Sequence, residues 1–107
     1  MEEIRNQIAL VEDLNYSRHD IVLDVYSAIK IGNMAYVSVS MQRGYTGTGI
    51  AVIELTDYKA SRTAFTCVGC YGHSDGEVAI YEDSNIIYAY ISESTGDTRF
   101  QLAFPIK

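Results

Sequence analysis

Cys67, Cys70 and His73 form a C-x2-C-x2-H run, the one local cluster of metal-ligand side chains in the sequence. Thiolate and imidazole groups at this spacing are typical ligands of zinc. A fourth ligand would have to be His19, Asp75 or a water molecule, because the sequence has no second cysteine pair. Residues three apart on a continuous strand point to opposite faces, which would separate the two sulfurs. We therefore expect one buried thiol and one strand-end thiol, with no metal and no cofactor.

A glycine-rich loop and two histidines are the other features that invite a chemical interpretation. Residues 44–49 match neither phosphate-loop nor dinucleotide-binding spacing, and no lysine follows the last glycine. We expect a strand connection there, from which Arg43 and Tyr45 contact a partner. His19 and His73 each stand near an aspartate, but nothing in the sequence indicates a Ser-His-Asp triad. The chain is therefore predicted not to be an enzyme.

Size and composition limit the possible classes of protein. A chain of 107 residues with 48% hydrophobic residues is expected to form one domain over residues 1–107. Its net charge of -6 argues against binding the nucleic-acid backbone or an anionic membrane surface. The acidic first residues do not resemble a secretory signal, and two cysteines fit a reducing compartment. We expect a cytoplasmic protein.

Hydrophobic periodicity changes once along the chain. Ile4, Ile8, Val11 and Leu14 follow helical spacing, which predicts a short helix ending around Asn15. Beyond it, runs rich in Val, Ile and Tyr alternate with turn residues and predict seven strands. These strands cover residues 21–31, 34–41, 49–55, 63–70, 77–81, 86–91 and 98–104.

Short connections between the predicted strands favour antiparallel pairing. Residues 29–37 and 49–55 resemble two strands of a β-propeller blade, which implies meander topology here and no function. The predicted fold class is α+β, with the N-terminal helix packed on a mainly antiparallel meander sheet of six to seven strands. The alternative is a small all-β sandwich or half-barrel, because so many strands tend to curl or split into two sheets.

The first C-terminal hairpin can be placed in register from the sequence. A turn centred on residues 83–84 pairs Glu77 with Tyr90 and Ile80 with Ile87. This register separates an apolar face from a face rich in tyrosine.

A second turn, centred on residues 94–95, pairs Ala89 with Phe100 and Ile87 with Leu102. Both registers gather one apolar set, which is the predicted core face: Val78, Ile80, Ile87, Ala89, Ile91, Phe100 and Leu102. The opposite face holds Glu77, Ala79, Tyr81, Ile86, Tyr88, Tyr90, Arg99 and Gln101. Tyrosine and arginine are enriched at binding hot spots, so this face is a predicted recognition surface. The alternative is that the tyrosines lie on a solvent face or under the N-terminal helix.

Negative charge is concentrated in the second half of the chain. Residues 63–98 contain six acidic residues and no lysine or arginine, whereas the other eight acidic residues are balanced by all eight basic ones. The entire net charge of -6 therefore falls between Arg62 and Arg99. Such a surface attracts basic partners, although it can also serve solubility alone.

These features predict a small acidic binding protein that inhibits a larger protein by covering a basic or substrate-binding surface. The profile resembles phage-encoded inhibitors such as anti-CRISPR proteins, and equally bacterial toxin-immunity proteins, through compactness and acidity rather than a motif. The alternatives are a module that binds a sugar or nucleotide on its tyrosine face and a structural homo-oligomer subunit. The predicted partner-binding residues are Glu77, Tyr81, Glu82, Asp83, Tyr88, Tyr90, Arg99, Arg43 and Tyr45.

Overall fold

The described part of the chain is built from β-strands alone. A computed structural model describes residues 11–19, 23–41, 46–71, 74–94 and 97–107, and these contain no helix. No helix long and apolar enough to cross a membrane therefore occurs among them. The strands are β1 (Val11–Asp13), β2 (Tyr16–Arg18), β3 (Leu23–Ile31), β4 (Met34–Met41), β5 (Gly47–Leu55), β6 (Ala64–Cys67), β7 (Gly69–Tyr71), β8 (Ser74–Ile80), β9 (Ile86–Ser94) and β10 (Asp97–Pro105).

The strands form two antiparallel sheets of five strands each. Sheet A has the order β1-β3-β4-β10-β7, and sheet B has the order β2-β5-β9-β8-β6. At the two sides of the sandwich, edge strands bend directly from one sheet into the other, since β1 leads into β2 and β6 leads into β7. Leu14 and Val68, which lie at these two bends, are buried. The sheets are thus joined along both sides, in the way that bent strands form the corners of a sandwich.

Alternating side chains from both sheets fill one core. In β4, Ala35, Val37, Val39 and Met41 are buried, while the residues between them face outward. The same alternation buries every second residue of β10 from Thr98 onward. Inward residues of β8 and β9 meet them from sheet B within a single hydrophobic cluster. Each fully buried aliphatic side chain contributes about 1.5–3 kcal/mol relative to exposure, so this cluster holds the two sheets together.

The predicted N-terminal helix is wrong over the residues that the structure describes. Residues 11–13 form an edge strand that pairs with β3, whereas residues 1–10 lie outside the described part. Lys30 lies 3.7 Å from the carboxylate of Glu12, its register partner on β1. Val11 is 61% exposed and Leu14 is buried, so their helical spacing does not make one buried stripe. Backbone hydrogen bonding along β3 outweighs the local helical pattern here.

The single sheet of the α+β prediction is also wrong, and the alternative all-β sandwich fits. The β8–β9 register is confirmed, because Glu77 pairs with Tyr90 and Ile80 with Ile87. The β9–β10 hairpin does not form, because both edges of β9 are already bonded, to β5 and to β8. Strand β10 pairs with β4 in sheet A instead. The predicted core set is nevertheless buried, because β9 and β10 both turn these side chains into the core between the two sheets.

A bulge in β9, where Ser92 is the extra residue, brings Gly76 of β8 against the backbone of that strand. The register between these strands shifts between Asp75 and Gly76. A methyl group on Gly76 would lie 2.3 Å from the carbonyl oxygen of Tyr90 and 2.7 Å from the Cα of Ile91. Only glycine allows the strands to approach this closely, so Gly76 fixes the pairing that places Glu77 beside Tyr90.

We expect Gly76→Ala to lower the free energy of unfolding by about 2–3 kcal/mol, because neither backbone atom can yield without breaking the ladder. Gly47→Ala is the matched control, since its methyl group would meet the side chain of Ile50, which is 37% exposed and can rotate. Its cost is expected below about 1 kcal/mol. Urea unfolding of both variants checks this, and equal losses would contradict it.

Candidate functional site

Strands β6, β8 and β9, with Tyr81 directly after β8, place four aromatic rings and a carboxylate on the outer face of sheet B. The tyrosine face is defined here as Phe65, Glu77, Tyr81, Tyr88 and Tyr90. Register brings Glu77 opposite Tyr90, and Ala79 opposite both Phe65 and Tyr88. Directly opposed Cβ atoms in such a sheet are about 5 Å apart, so these side chains are neighbours.

The three tyrosines contact one another. The hydroxyl groups of Tyr81 and Tyr90 are hydrogen-bonded at 2.5 Å. The ring centroids of Tyr81 and Tyr88 are 6.1 Å apart with an interplanar angle of 45°, a tilted arrangement favourable for aromatic pairs. The hydrogen bond with Tyr81, which favours the neutral phenol, and the partial burial of that phenol raise the pKa of Tyr90 to about 12, and the nearby Glu77 charge adds to this shift. These contacts restrain the rings on a rigid sheet.

Phe65 belongs to this surface although the sequence analysis did not select it. Its side chain is 69% exposed, and that of Tyr81 is 41% exposed. Ala79, between Phe65 and Tyr88, is only 4% exposed because the larger side chains shield it. The sequence signal that could have identified Phe65 is the two-residue period of a strand, which puts Phe65 and Cys67 on one side of β6. The register of this strand against β8 was not predicted from local pattern.

Glu77 is an exposed carboxylate among aromatic rings. No described lysine, arginine or histidine forms an ion pair with it. Its register partner on β6, Cys67, is an exposed free thiol. Across the same sheet, the carboxylate of Glu54 lies 3.3 Å from the Nε2 atom of His19. Glu77 therefore offers a negative charge that no described side chain compensates.

Asp83 stabilises the turn between β8 and β9. Its φ angle is +64°, and its backbone N–H donates to the carbonyl of Ala60 at 2.8 Å. The ammonium group of Lys107 pairs with the Asp83 carboxylate and holds the pKa of that carboxyl below its usual range. Glu82 lies on the same turn, and its N–H donates to the Thr63 hydroxyl at 3.0 Å. Of the two predicted acidic binding residues on this turn, Asp83 already has a cation.

Arg99 is a predicted partner-binding residue that the structure places outside the tyrosine face. Arg99 and Gln101 lie on β10, which is in sheet A, so the prediction that they share a face with the tyrosines is wrong. The cause is the crossing of the chain between β9 and β10, which replaces the expected hairpin. Arg43 and Tyr45 lie outside the described residues.

The two cysteines of the candidate metal cluster lie on different strands. Cys67 ends β6 in sheet B, and Cys70 is in β7 of sheet A, with buried Val68 between the strands. His73 lies outside the described residues. Among those that are described, no group of three or more histidine, cysteine, aspartate or glutamate residues could hold a metal ion.

Three concave regions of the described surface lie away from the tyrosine rings. One has a volume of about 600 Å³ on the outer face of sheet A and is lined by residues including Ile29, Tyr36 and Ala103. A second includes Tyr26, Cys67 and Arg99, and a third follows the edge of β3. Most of these residues belong to sheet A, whereas the exposed aromatic cluster belongs to sheet B.

Comparison with known proteins adds no family to this description. No protein-family profile, curated protein or solved structure matches the chain. The function is therefore argued from the residues of the tyrosine face alone.

We expect Tyr81→Phe to lower the pKa of Tyr90 toward its ordinary value of about 10, because the variant removes the hydrogen bond that favours the neutral phenol. In the native protein the raised pKa stabilises the fold fully below about pH 10, and this contribution is lost as the pH rises to about 12. NMR signals of the Tyr90 ring, followed against pH, measure the change. Tyr36→Phe in sheet A is the control, and an unchanged Tyr90 titration in Tyr81→Phe would contradict the assignment.

Proposed function

We propose that this chain is a small acidic binding protein that inhibits a larger protein by covering a basic surface with its tyrosine face. The observation that carries the proposal is the exposure of Phe65, Tyr81 and Glu77 on the outer face of a sheet whose inner face already supplies the core. Exposed aromatic side chains on a rigid support are typical of protein interfaces, because they bury much area at little entropic cost.

The shape of the site favours a protein partner over a small ligand. Small-molecule sites are usually concave and enclose most of the ligand. The tyrosine face instead spreads over β6, β8 and β9, and the three concave regions noted above are lined by other residues. A sugar or nucleotide stacked on the tyrosines remains the alternative, and it predicts binding by the isolated compound.

Charge distribution supports a basic partner. The segment that carries the whole net charge of -6 runs through β6, β7, β8 and β9, and three of these strands belong to sheet B. Glu77 and Glu82 contribute exposed acidic side chains to that sheet and its turn. A field of this sign speeds the encounter with a basic surface and disfavours contact with nucleic acid or anionic lipid. Asp83 is left out, because Lys107 compensates its charge.

Inhibition by coverage requires no reacting group in the inhibitor. The mechanism proposed is that tyrosine rings anchor the contact while carboxylates occupy positions that a nucleic acid or acidic substrate would take. The proposed role is that of a compact inhibitor such as an anti-CRISPR or toxin-immunity protein, acting inside the cell and without a cofactor. A second copy of the chain is the other partner to be considered.

Site-specific photocrosslinking in cells of the source organism tests the proposal. Tyr88→benzoylphenylalanine is expected to give a covalent adduct with one partner protein, because position 88 lies at the centre of the tyrosine face. Gln101→benzoylphenylalanine on sheet A is the matched control and is expected to give none. Glu77→Lys in the first variant should reduce the adduct about tenfold or more, whereas Asp24→Lys, an equal charge change on sheet A, should not.

The purified partner is then assayed for inhibition. Wild-type protein is expected to suppress its activity, and Glu77→Lys is expected to lose that suppression. An adduct from position 101 alone, or one that Glu77→Lys leaves unchanged, would contradict the proposed surface. An adduct made only with a second copy of the chain would favour the homo-oligomer.

A further inference from the structure

The proposed function does not specify which chemical group of the partner contacts Glu77. The carboxylate is exposed, lacks a described ion-pair partner, and stands opposite the ring of Tyr90. Tyr88 is its diagonal neighbour across β8 and β9, at a Cβ separation of about 7 Å in a sheet of this geometry. A negative charge with two aromatic rings beside it is an environment suited to a cation.

The rings are held in a way that suits stacking. Tyr90 is hydrogen-bonded to Tyr81, which also contacts Tyr88, so the three side chains restrain one another. A group bound over Tyr88 and Tyr90 would therefore meet rings whose rotamers are already restricted. The cost of ordering the side chains is thus largely met before binding.

We infer that the tyrosine face recognises an arginine side chain of its partner, whose guanidinium group stacks on Tyr88 or Tyr90 and donates to the carboxylate of Glu77. This inference rests on the proposed function and adds the chemical identity of the contact. The planar guanidinium group offers two parallel N–H donors that fit a carboxylate, and its flat surface packs on an aromatic ring.

Lysine satisfies only part of this arrangement. Its ammonium group is a compact, strongly hydrated charge that cannot stack and cannot make two parallel hydrogen bonds to one carboxylate. A lysine-rich surface would still be attracted by the net charge of -6, but without the geometric match at Glu77. A preference for arginine over lysine therefore distinguishes a specific contact at Glu77 from general electrostatic attraction.

Titration calorimetry with three capped peptides tests the inference on the purified chain. Each peptide carries three identical residues spaced by glycine, and these are arginine, lysine or the uncharged analogue citrulline. The arginine peptide is expected to bind about fivefold to tenfold more tightly than the lysine peptide, and the citrulline peptide to bind least. Glu77→Gln and Tyr88→Thr should each weaken arginine binding about tenfold and remove the preference over lysine.

Glu54→Gln provides the matched control. It removes the same charge from the same sheet, but the Glu54 carboxylate pairs with His19 rather than facing the tyrosine rings. Its affinity for the arginine peptide should change less than twofold, and circular dichroism of each variant verifies the fold.

The outcomes separate this inference from the proposed function. Equal binding of the arginine and lysine peptides, weakened by Glu77→Gln, would overturn arginine recognition and keep a basic partner. Binding of neither peptide, with the position-88 adduct still formed, would also overturn arginine recognition alone. Absence of both peptide binding and the adduct would overturn both. Arginine binding that Glu77→Gln leaves intact would overturn the assignment to this face.

Discussion

Hydrogen bonding on both edges of β9 is the constraint on which the rest of the structure depends. Because β5 and β8 occupy those edges, the following strand has no place in sheet B and enters sheet A beside β4. From its place beside β4, β10 turns its inward side chains into the core from the opposite layer. The same pairing of β9 holds Glu77 beside Tyr90 on the outer face, and it sends Arg99 to the other sheet. Core and candidate site therefore share one cause.

Local pattern predicted the parts of the structure that depend on neighbouring residues. The two-residue period and the turn around Asp83 were sufficient for the β8–β9 register. The Gly32–Asn33 turn likewise joins β3 to β4, with Gly32 at a φ angle of +61°. Inward and outward faces were predicted correctly even for β10, because the alternation of its side chains does not depend on which strand it pairs with. Glu77, Tyr81, Tyr88 and Tyr90 could thus be grouped in advance.

The features that the sequence did not predict depend on pairing between segments that are far apart in the chain. The spacing of Val11 and Leu14 predicted a helix, but residues 11–13 pair instead with the edge of β3, which is remote in sequence. The segment predicted as one strand over residues 63–70 divides between two sheets at Val68, and its register against β8 brings Phe65 into the site. The structural role of Asp83 depends on its ion pair with Lys107, which is remote in sequence. Each of these contacts joins segments whose partners no local pattern specifies.

The two faces of β9 are proposed to have separate tasks, with inward residues stabilising the fold and outward tyrosines serving recognition. Ile87 and Tyr88 are adjacent in sequence and lie on opposite faces, which makes them a direct comparison. Urea unfolding should show a loss of about 2–5 kcal/mol for Ile87→Ala, from the cavity left in the core. Tyr88→Thr should cost about 1 kcal/mol or less, because threonine keeps the strand preference and removes only surface contacts. A loss for Tyr88→Thr as large as that for Ile87→Ala would show that the tyrosine face is part of the core, and would contradict the account.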